Sequence, residues 1–282
     1  MKGKAVACCA ATVLNAVANW KGSAFGVGLR TRAEVILDSS GKVKGDVPGV
    51  DDRLVVRCVE KVLERFGQGL GAIVRTRSEV PVASGLKSSS TAANASVLAA
   101  LDALGEEIDL LEAAAIGVSA AREVGVTITG ALDDALASML GGVVVTDNLE
   151  MKLLRREEMD FAVILLVPDR KVLSKDTDVK RSRLMAPLAD VAAELAMNGD
   201  YGRAMTLNGL MYCAALGFSP EPIMAALKAG AWGASLSGTG PAYAALVPDD
   251  KVESASSAWE SLGGRVIRTV VNNQAASIGG EI

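Results

Sequence analysis

Pro81-Val82-Ala83-Ser84-Gly85-Leu86-Lys87-Ser88-Ser89-Ser90-Thr91 joins an extended segment to a long helix of small residues. Upstream, Ala72, Val74 and Thr76 alternate with Ile73, Arg75 and Arg77, the period-two pattern of a half-buried strand, and Pro81 stops it. From Ser88 to Leu104 nothing breaks a helix, alanine and leucine dominate, and Gly105 follows as a C-terminal stop. The first N–H groups of such a helix have no internal partners. Gly85 can take a positive φ, Ser88, Ser89 and Ser90 add hydroxyls, and Lys87 adds a positive charge, a set of convergent donors that phosphate oxygens fit. The same serines would equally serve as N-caps, so both uses stand at this point. The Lys-Ser pair does not end a Walker A loop, because Leu86 stands where that loop needs glycine.

Outward from this junction, composition sets limits. With 282 residues the chain has room for two modest domains or one large one. Half of its residues are hydrophobic and its formal net charge is −4, as in an ordinary soluble globular protein with no basic surface for nucleic acid. Histidine is absent, which excludes a serine–histidine triad, a histidine-bound zinc and a histidine general base. Any catalysis must use carboxylates, lysines, hydroxyls or backbone dipoles. Cys8, Cys9, Cys58 and Cys213 lack metal-ligand spacing and read as buried thiols. Lys2 and Lys4 before the apolar run Ala5 to Ala18 mimic a signal peptide, but Thr12 and Asn15 interrupt the run and it is too short to span a membrane. A cytoplasmic location without membrane contact is expected.

Strands and helices alternate along the chain without low-complexity linkers, giving an α+β order. Ala5 to Ala10 and Ala33 to Asp38 read as strands with the glycine-rich Lys21 to Gly28 between them. Asp52 to Phe66 is an amphipathic helix, Asp109 caps another that runs to Val124, and a short one covers Asp134 to Leu140. Gly141 and Gly142 lead into a strand at Val143 to Thr146. A soft boundary near residue 150 divides the chain into 1–150 and 151–282. Beyond it, Phe161 to Val167 is an apolar strand, and the charged stretch from Asp169 to Arg183 is the best candidate for a mobile loop. Helices follow at Pro187 to Met197, Tyr201 to Leu216 and Pro220 to Lys228. Strands at Ala234 to Leu236 and Ala242 to Val247, a capped helix at Asp249 to Leu262 and a strand at Arg265 to Val271 close the chain.

Two further features bear on chemistry. Ser237-Gly238-Thr239-Gly240, ahead of Pro241, lacks side-chain bulk between two strands, so it is either a tight hairpin or a second place where backbone approaches a ligand. Glu123, Asp133 and Asp134 flank Gly125 to Leu132, and carboxylates near a phosphate site can hold Mg²⁺ or accept a hydroxyl proton. A helix cap by Asp133 and a solvated Glu123 is the plainer alternative.

Together these features resemble the GHMP kinase superfamily, whose phosphate loop reads Pro-x-x-x-Gly-Leu-Gly-Ser-Ser-Ala; Pro81, Gly85, Leu86, Ser88 and Ser89 match it. Within the superfamily the chain is most similar to the archaeal-type shikimate kinases, which carry lysine in place of the third glycine, as at Lys87, and then a triple serine. Ala11-Thr12-Val13-Leu14-Asn15-Ala16, Gly22-Ser23-Ala24-Phe25-Gly26 and Thr129-Gly130-Ala131-Leu132-Asp133-Asp134-Ala135 also resemble that family. The usual Pro-Gly-Glu pattern near the N-terminus is absent. The resemblance implies a ribosomal protein S5 domain 2-like N-terminal domain packed on a ferredoxin-like C-terminal domain. It implies that residues Pro81 to Thr91, with Val82, Ala83, Ser84 and Ser90 among them, wrap the phosphates of ATP, and that Ser237, Gly238, Thr239 and Gly240 form the third motif. Ser89 and Glu123 would then be ligands of Mg²⁺, and Lys87 would stabilise charge. Asp134 would orient or deprotonate the acceptor, with Asp133 its rival. The implied reaction moves the γ-phosphoryl group of MgATP to the 3-hydroxyl of shikimate, in chorismate and aromatic amino-acid synthesis. Shikimate's carboxylate calls for a cation, for which Lys21, Lys175, Lys180, Arg181 and Arg183 are candidates.

Overall fold

The computed structural model describes residues 1–47, 51–80, 85–168 and 178–279. The larger sheet contains β1 (Lys2–Leu14), β2 (Lys21–Asp38), β3 (Val43–Gly45), β4 (Gly71–Ser78), β5 (Val143–Asp147), β6 (Lys152–Glu157) and the C-terminal β11 (Ser277–Ile278). Its order is β11-β1-β2-β4-β3, with β5 also on β2 and β6 on β5. One edge of β2 pairs with β1 along most of its length. The other edge is shared: Lys21 to Phe25 pair with β5, and Thr31 to Asp38 pair with β4. The end of β4 and the start of β5 therefore meet near the middle of β2. The chain between them carries α2 (Ser88–Leu104), α3 (Leu110–Glu123) and α4 (Leu132–Leu140), which with α1 (Arg53–Phe66) cover one face of the sheet.

The expected glycine-rich interval Lys21 to Gly28 is strand, the first half of β2. Its glycines mark close approaches and not a loop. A Cβ on Gly22 would lie 2.6 Å from Asp133 Cγ, one on Gly26 2.7 Å from Asn272 O, and one on Gly28 2.6 Å from Thr269 Oγ1. Alternation along β2 sends Ala24 to the helices and Phe25 and Val27 to the second sheet, so both faces are buried. Burial on both sides also explains why β1 reads as a continuous apolar run, and Cys8, Cys9, Cys58 and Cys213 are all free and buried.

The smaller sheet is antiparallel, in the order β10-β7-β9-β8, built from β7 (Ala162–Val167), β8 (Gly233–Leu236), β9 (Tyr243–Val247) and β10 (Arg265–Val270). Between β7 and β8 run α5 (Val179–Arg183), α6 (Ala186–Met197), α7 (Tyr201–Leu216) and α8 (Glu221–Lys228), and α9 (Val252–Glu260) joins β9 to β10. This is the ferredoxin-like order. Asp249–Lys251, expected as the start of the last helix, is a 3₁₀ turn leading into α9. The chain leaves the larger sheet between Glu157 and Ala162, later than residue 150, because β6 extends the β5 ladder. Of the charged stretch expected to be mobile, residues 169–177 lie outside the described residues. The rest ends in α5, where the Asp178 side chain accepts from Arg181 N at 2.9 Å. No helix among the described residues is long and apolar enough to cross a membrane.

Candidate active site

At the start of α2 the backbone turns through two positive φ values, +83° at Gly85 and +62° at Lys87. Lys87 is itself the N-cap, with no side-chain cap bond. The first helical bond runs from Thr91 N to Lys87 O at 3.1 Å, reinforced by Thr91 Oγ1 donating to the same carbonyl at 3.0 Å. None of the three serines caps the helix, and their hydroxyls have no partner among the described residues. Ser89 is the exposed one. The first-turn amides lack intrahelical partners and Ser89 adds an exposed hydroxyl, a ready anion site. Pro81, Val82, Ala83 and Ser84 lie outside the described residues.

The β8–β9 loop closes against this turn. Ser237 Oγ donates to Gly85 O at 2.9 Å, and a Cβ on Gly85 would stand 2.7 Å from Ser237 O and 2.8 Å from Gly240 O. Only glycine permits that approach at that φ. Gly238 faces the lysine: a Cβ on it would meet Lys87 Nζ at 2.8 Å. Leu86 is buried beside these contacts.

The third component is the first turn of α4, entered through Gly130 at φ +91° and Ala131 at φ +50°. Lys87 Nζ lies 2.9 Å from Asp134 Oδ2, and both side chains are nearly sealed from solvent. Asp134 Oδ1 is buried with no hydrogen-bond partner among the described residues. Asp133 is differently placed: Asn148 Nδ2 donates to its Oδ1 at 2.8 Å, and Gly22 packs against its carboxyl. Burial raises the pKa of both carboxyls. Asp134 is pushed up to about 7 by burial, with Lys87 pulling the other way and the neighbouring Asp133 charge adding to the rise. A carboxyl with one free oxygen, beside a cation and two helix N-termini, is equipped to accept a proton from a hydroxyl facing an anion.

Glu123 is not brought to this cluster. Its carboxylate accepts from Arg57 Nε at 2.6 Å, from Lys61 and from Ser119 Oγ at 3.3 Å, on the α1–α3 surface. The Lys61 and Arg57 hydrogen bonds hold it down to about 2. In this structure Glu123, expected as a metal ligand, stands as a surface ion-pair partner, because the last turn of α3 packs beside α1. Among the cations expected for an acceptor carboxylate, Lys21 pairs with Asp147 and projects from the face of β2 opposite Gly22, hence opposite Asp133. Arg181 donates to Ala214 O at 2.9 Å, Lys180 and Arg183 are exposed on α5, and Lys175 lies outside the described residues.

Sequence reasoning gave no site role to Thr12, Asn15, Asn148 and Asn208, which are buried at or beside the cluster. A signal existed for two of them. Thr12 and Asn15 were the polar interruptions in the apolar run Ala5 to Ala18, Thr12 within β1 and Asn15 just after it, and a buried polar group needs a specific partner.

Comparison with known proteins bears on the same geometry. Residues 53–142 match the GHMP kinases N terminal domain, and residues 193–264 match GHMP kinases C terminal. A shikimate kinase from Methanothrix thermoacetophila is 62% identical over 99% of this chain and 97% of its own. The chain belongs to the GHMP kinase family. A shikimate kinase from Methanosarcina mazei is 57% identical, covering 98% of this chain and 96% of its own. Among solved structures, a homoserine kinase from Cytophaga hutchinsonii superposes with a TM-score of 0.77 at 19% identity, covering 98% of this chain and 97% of that one. The mevalonate kinase of Methanococcus jannaschii gives 0.75 at 14% identity, covering 96% and 98%. At these identities the likeness shows a shared fold.

Proposed function

We propose that this chain transfers the γ-phosphoryl group of ATP to the 3-hydroxyl of shikimate, within chorismate and aromatic amino-acid synthesis. The observation that carries the chemistry is the buried Asp134–Lys87 pair, with Asp134 Oδ1 unpartnered, at the meeting of two helix N-termini. Shikimate as the acceptor rests on the near-full-length likeness to kinases of that name.

In this reading the amides of Ser88, Ser89 and Ser90, their hydroxyls and the backbone of Ser237 to Gly240 cradle the phosphates of the nucleotide. Lys87 offsets charge on the transferring group. Asp134 holds the acceptor hydroxyl through its free oxygen and receives its proton. It suits this role better than Asp133, whose carboxyl is engaged by Asn148 and walled by Gly22. The donor set also fits Mg²⁺, since Ser89 offers an exposed, unpartnered hydroxyl and that ion takes few protein ligands beside phosphates and water. Bound Mg²⁺ would neutralise phosphate charge as the bond to the leaving oxygen breaks. A cytoplasmic setting agrees with four free thiols and ATP as the donor.

Coupled ADP release, measured over shikimate, homoserine and mevalonate, tests the assignment. Turnover with shikimate and background rates with the other two is expected. Turnover with homoserine alone would replace the acceptor and keep the kinase. Nucleotide binding with no turnover on any acceptor would make the chain a sensor on a kinase fold.

A further inference from the structure

The β8–β9 loop closes its own turn with two bonds, Ser237 N to Ala242 O at 2.8 Å and Gly240 N to Ser237 O at 3.0 Å. Those bonds set its shape. Its position relative to α2 and α4 is set by the Ser237 bond to Gly85 O and, at Gly238, by the end of β1 and the turn that follows it. Thr12 Oγ1 accepts from Gly238 N at 2.8 Å, and Asn15 Nδ2 donates to Gly238 O at 2.8 Å, so both peptide groups of Gly238 are tied to the larger sheet.

Asn15 is committed throughout. Its Oδ1 accepts from Val17 N at 3.0 Å, its N–H goes to Asn208 Oδ1 at 2.9 Å, and its carbonyl accepts from Tyr212 OH at 3.1 Å. Asn208 Nδ2 in turn donates to Ser235 Oγ at 2.9 Å. Thr12, Asn15, Asn208, Tyr212 and Ser235 are all buried. A satisfied buried network of this kind fixes one arrangement of the elements it joins. The element it fixes touches the reacting groups: Lys87 Nζ fills the space where a Gly238 side chain would stand, and lies 2.9 Å from Asp134.

We infer that Thr12 and Asn15 are positioning residues for phosphoryl transfer, clamping Gly238 and thereby setting where the Lys87 ammonium stands between Asp134 and the nucleotide. The inference rests on the kinase reading above. Misplacement of a charged group by a fraction of an ångström is costly in rate even when the fold persists.

Thr12→Val and Asn15→Ala remove one tie each, Thr12→Ser keeps the hydroxyl, and Trp259→Phe removes a buried hydrogen bond to Pro222 O outside this network. Steady-state kinetics, calorimetric ATP affinity and Tm are read for all four. About a tenfold or larger loss of kcat/KM for ATP is expected in Thr12→Val and Asn15→Ala, with KM for shikimate within about threefold. Thr12→Ser should recover most of the rate, and Trp259→Phe should lower Tm with kinetics unchanged. If Thr12→Val does not fold, Thr12→Ala against Thr12→Ser makes the same comparison. Kinetically silent Thr12 and Asn15 variants beside an active wild type would overturn the clamp alone. A wild type that binds ATP but is inactive on every acceptor would overturn the kinase reading and the clamp with it.

Discussion

Asp134 and Glu123 are both acidic residues that sequence places close to a phosphate loop, and both are bonded to a lysine in the folded chain, yet their environments are opposite. Asp134 meets Lys87 in a contact nearly closed to water, and burial raises its pKa in spite of the lysine. Glu123 meets Lys61 and Arg57 on a helix surface with 41% of its side chain exposed, and those cations lower its pKa. The difference teaches that proximity to a cation does not decide the state of a carboxyl; access to water does. Where desolvation dominates, the group is poised to exchange a proton near neutrality, and where it is absent the group stays ionised and inert.

Replacing Asp134 breaks the comparison most severely. Asp134→Asn keeps the volume and removes the proton acceptor, so kcat should fall by about 10²–10⁴ while ATP affinity changes only a fewfold. Single-turnover rates with calorimetric ATP binding check this. An unchanged rate would move the role to Asp133 or dispense with a base.

The same variant sharpens the comparison through stability. A carboxyl whose folded pKa is raised makes the folded state bind more protons than the unfolded one. The favourable proton binding is fully present below an unfolded pKa near 4 and is lost as pH rises through about 7. Asp134→Asn lacks this dependence. Its stability relative to wild type should therefore rise between pH 5 and pH 7, by up to about 1.4 kcal/mol of unfolding free energy per pH unit, and level off above, with Tm following. Parallel Tm curves across that range would mean that Lys87 compensates the burial fully.

Some of this contrast was legible in the sequence. The bounds of α2 and α7 could be read directly, because each ends at a glycine stop, Gly105 and Gly217, both in the left-handed conformation, although α7 carries Gly202 and Gly209 within it. The first half of β2 could not, since Gly22, Gly26 and Gly28 look like a loop until the groups that press on them are known. β6 was silent because Lys152–Glu157 is an edge strand whose charges face water, with little apolar alternation. In the site, the phosphate-facing turn was legible as local chemistry. The Lys87–Asp134 contact was not, because it is made by packing α2 on α4, and the same packing leaves Glu123 on the α1 side.

The smallest effect is expected from Glu123→Gln. If Glu123 held the metal, this change would raise the Mg²⁺ concentration needed for half-maximal rate and depress kcat. Since its oxygens are spent on Arg57 and Lys61, kcat and the Mg²⁺ midpoint should stay within about twofold of wild type. Only Tm should respond, falling slightly at low ionic strength and converging with wild type near about 1 M salt, where exposed pairs are screened. A shifted Mg²⁺ midpoint would return Glu123 to the site and require the end of α3 to turn from α1 toward α4 when nucleotide binds.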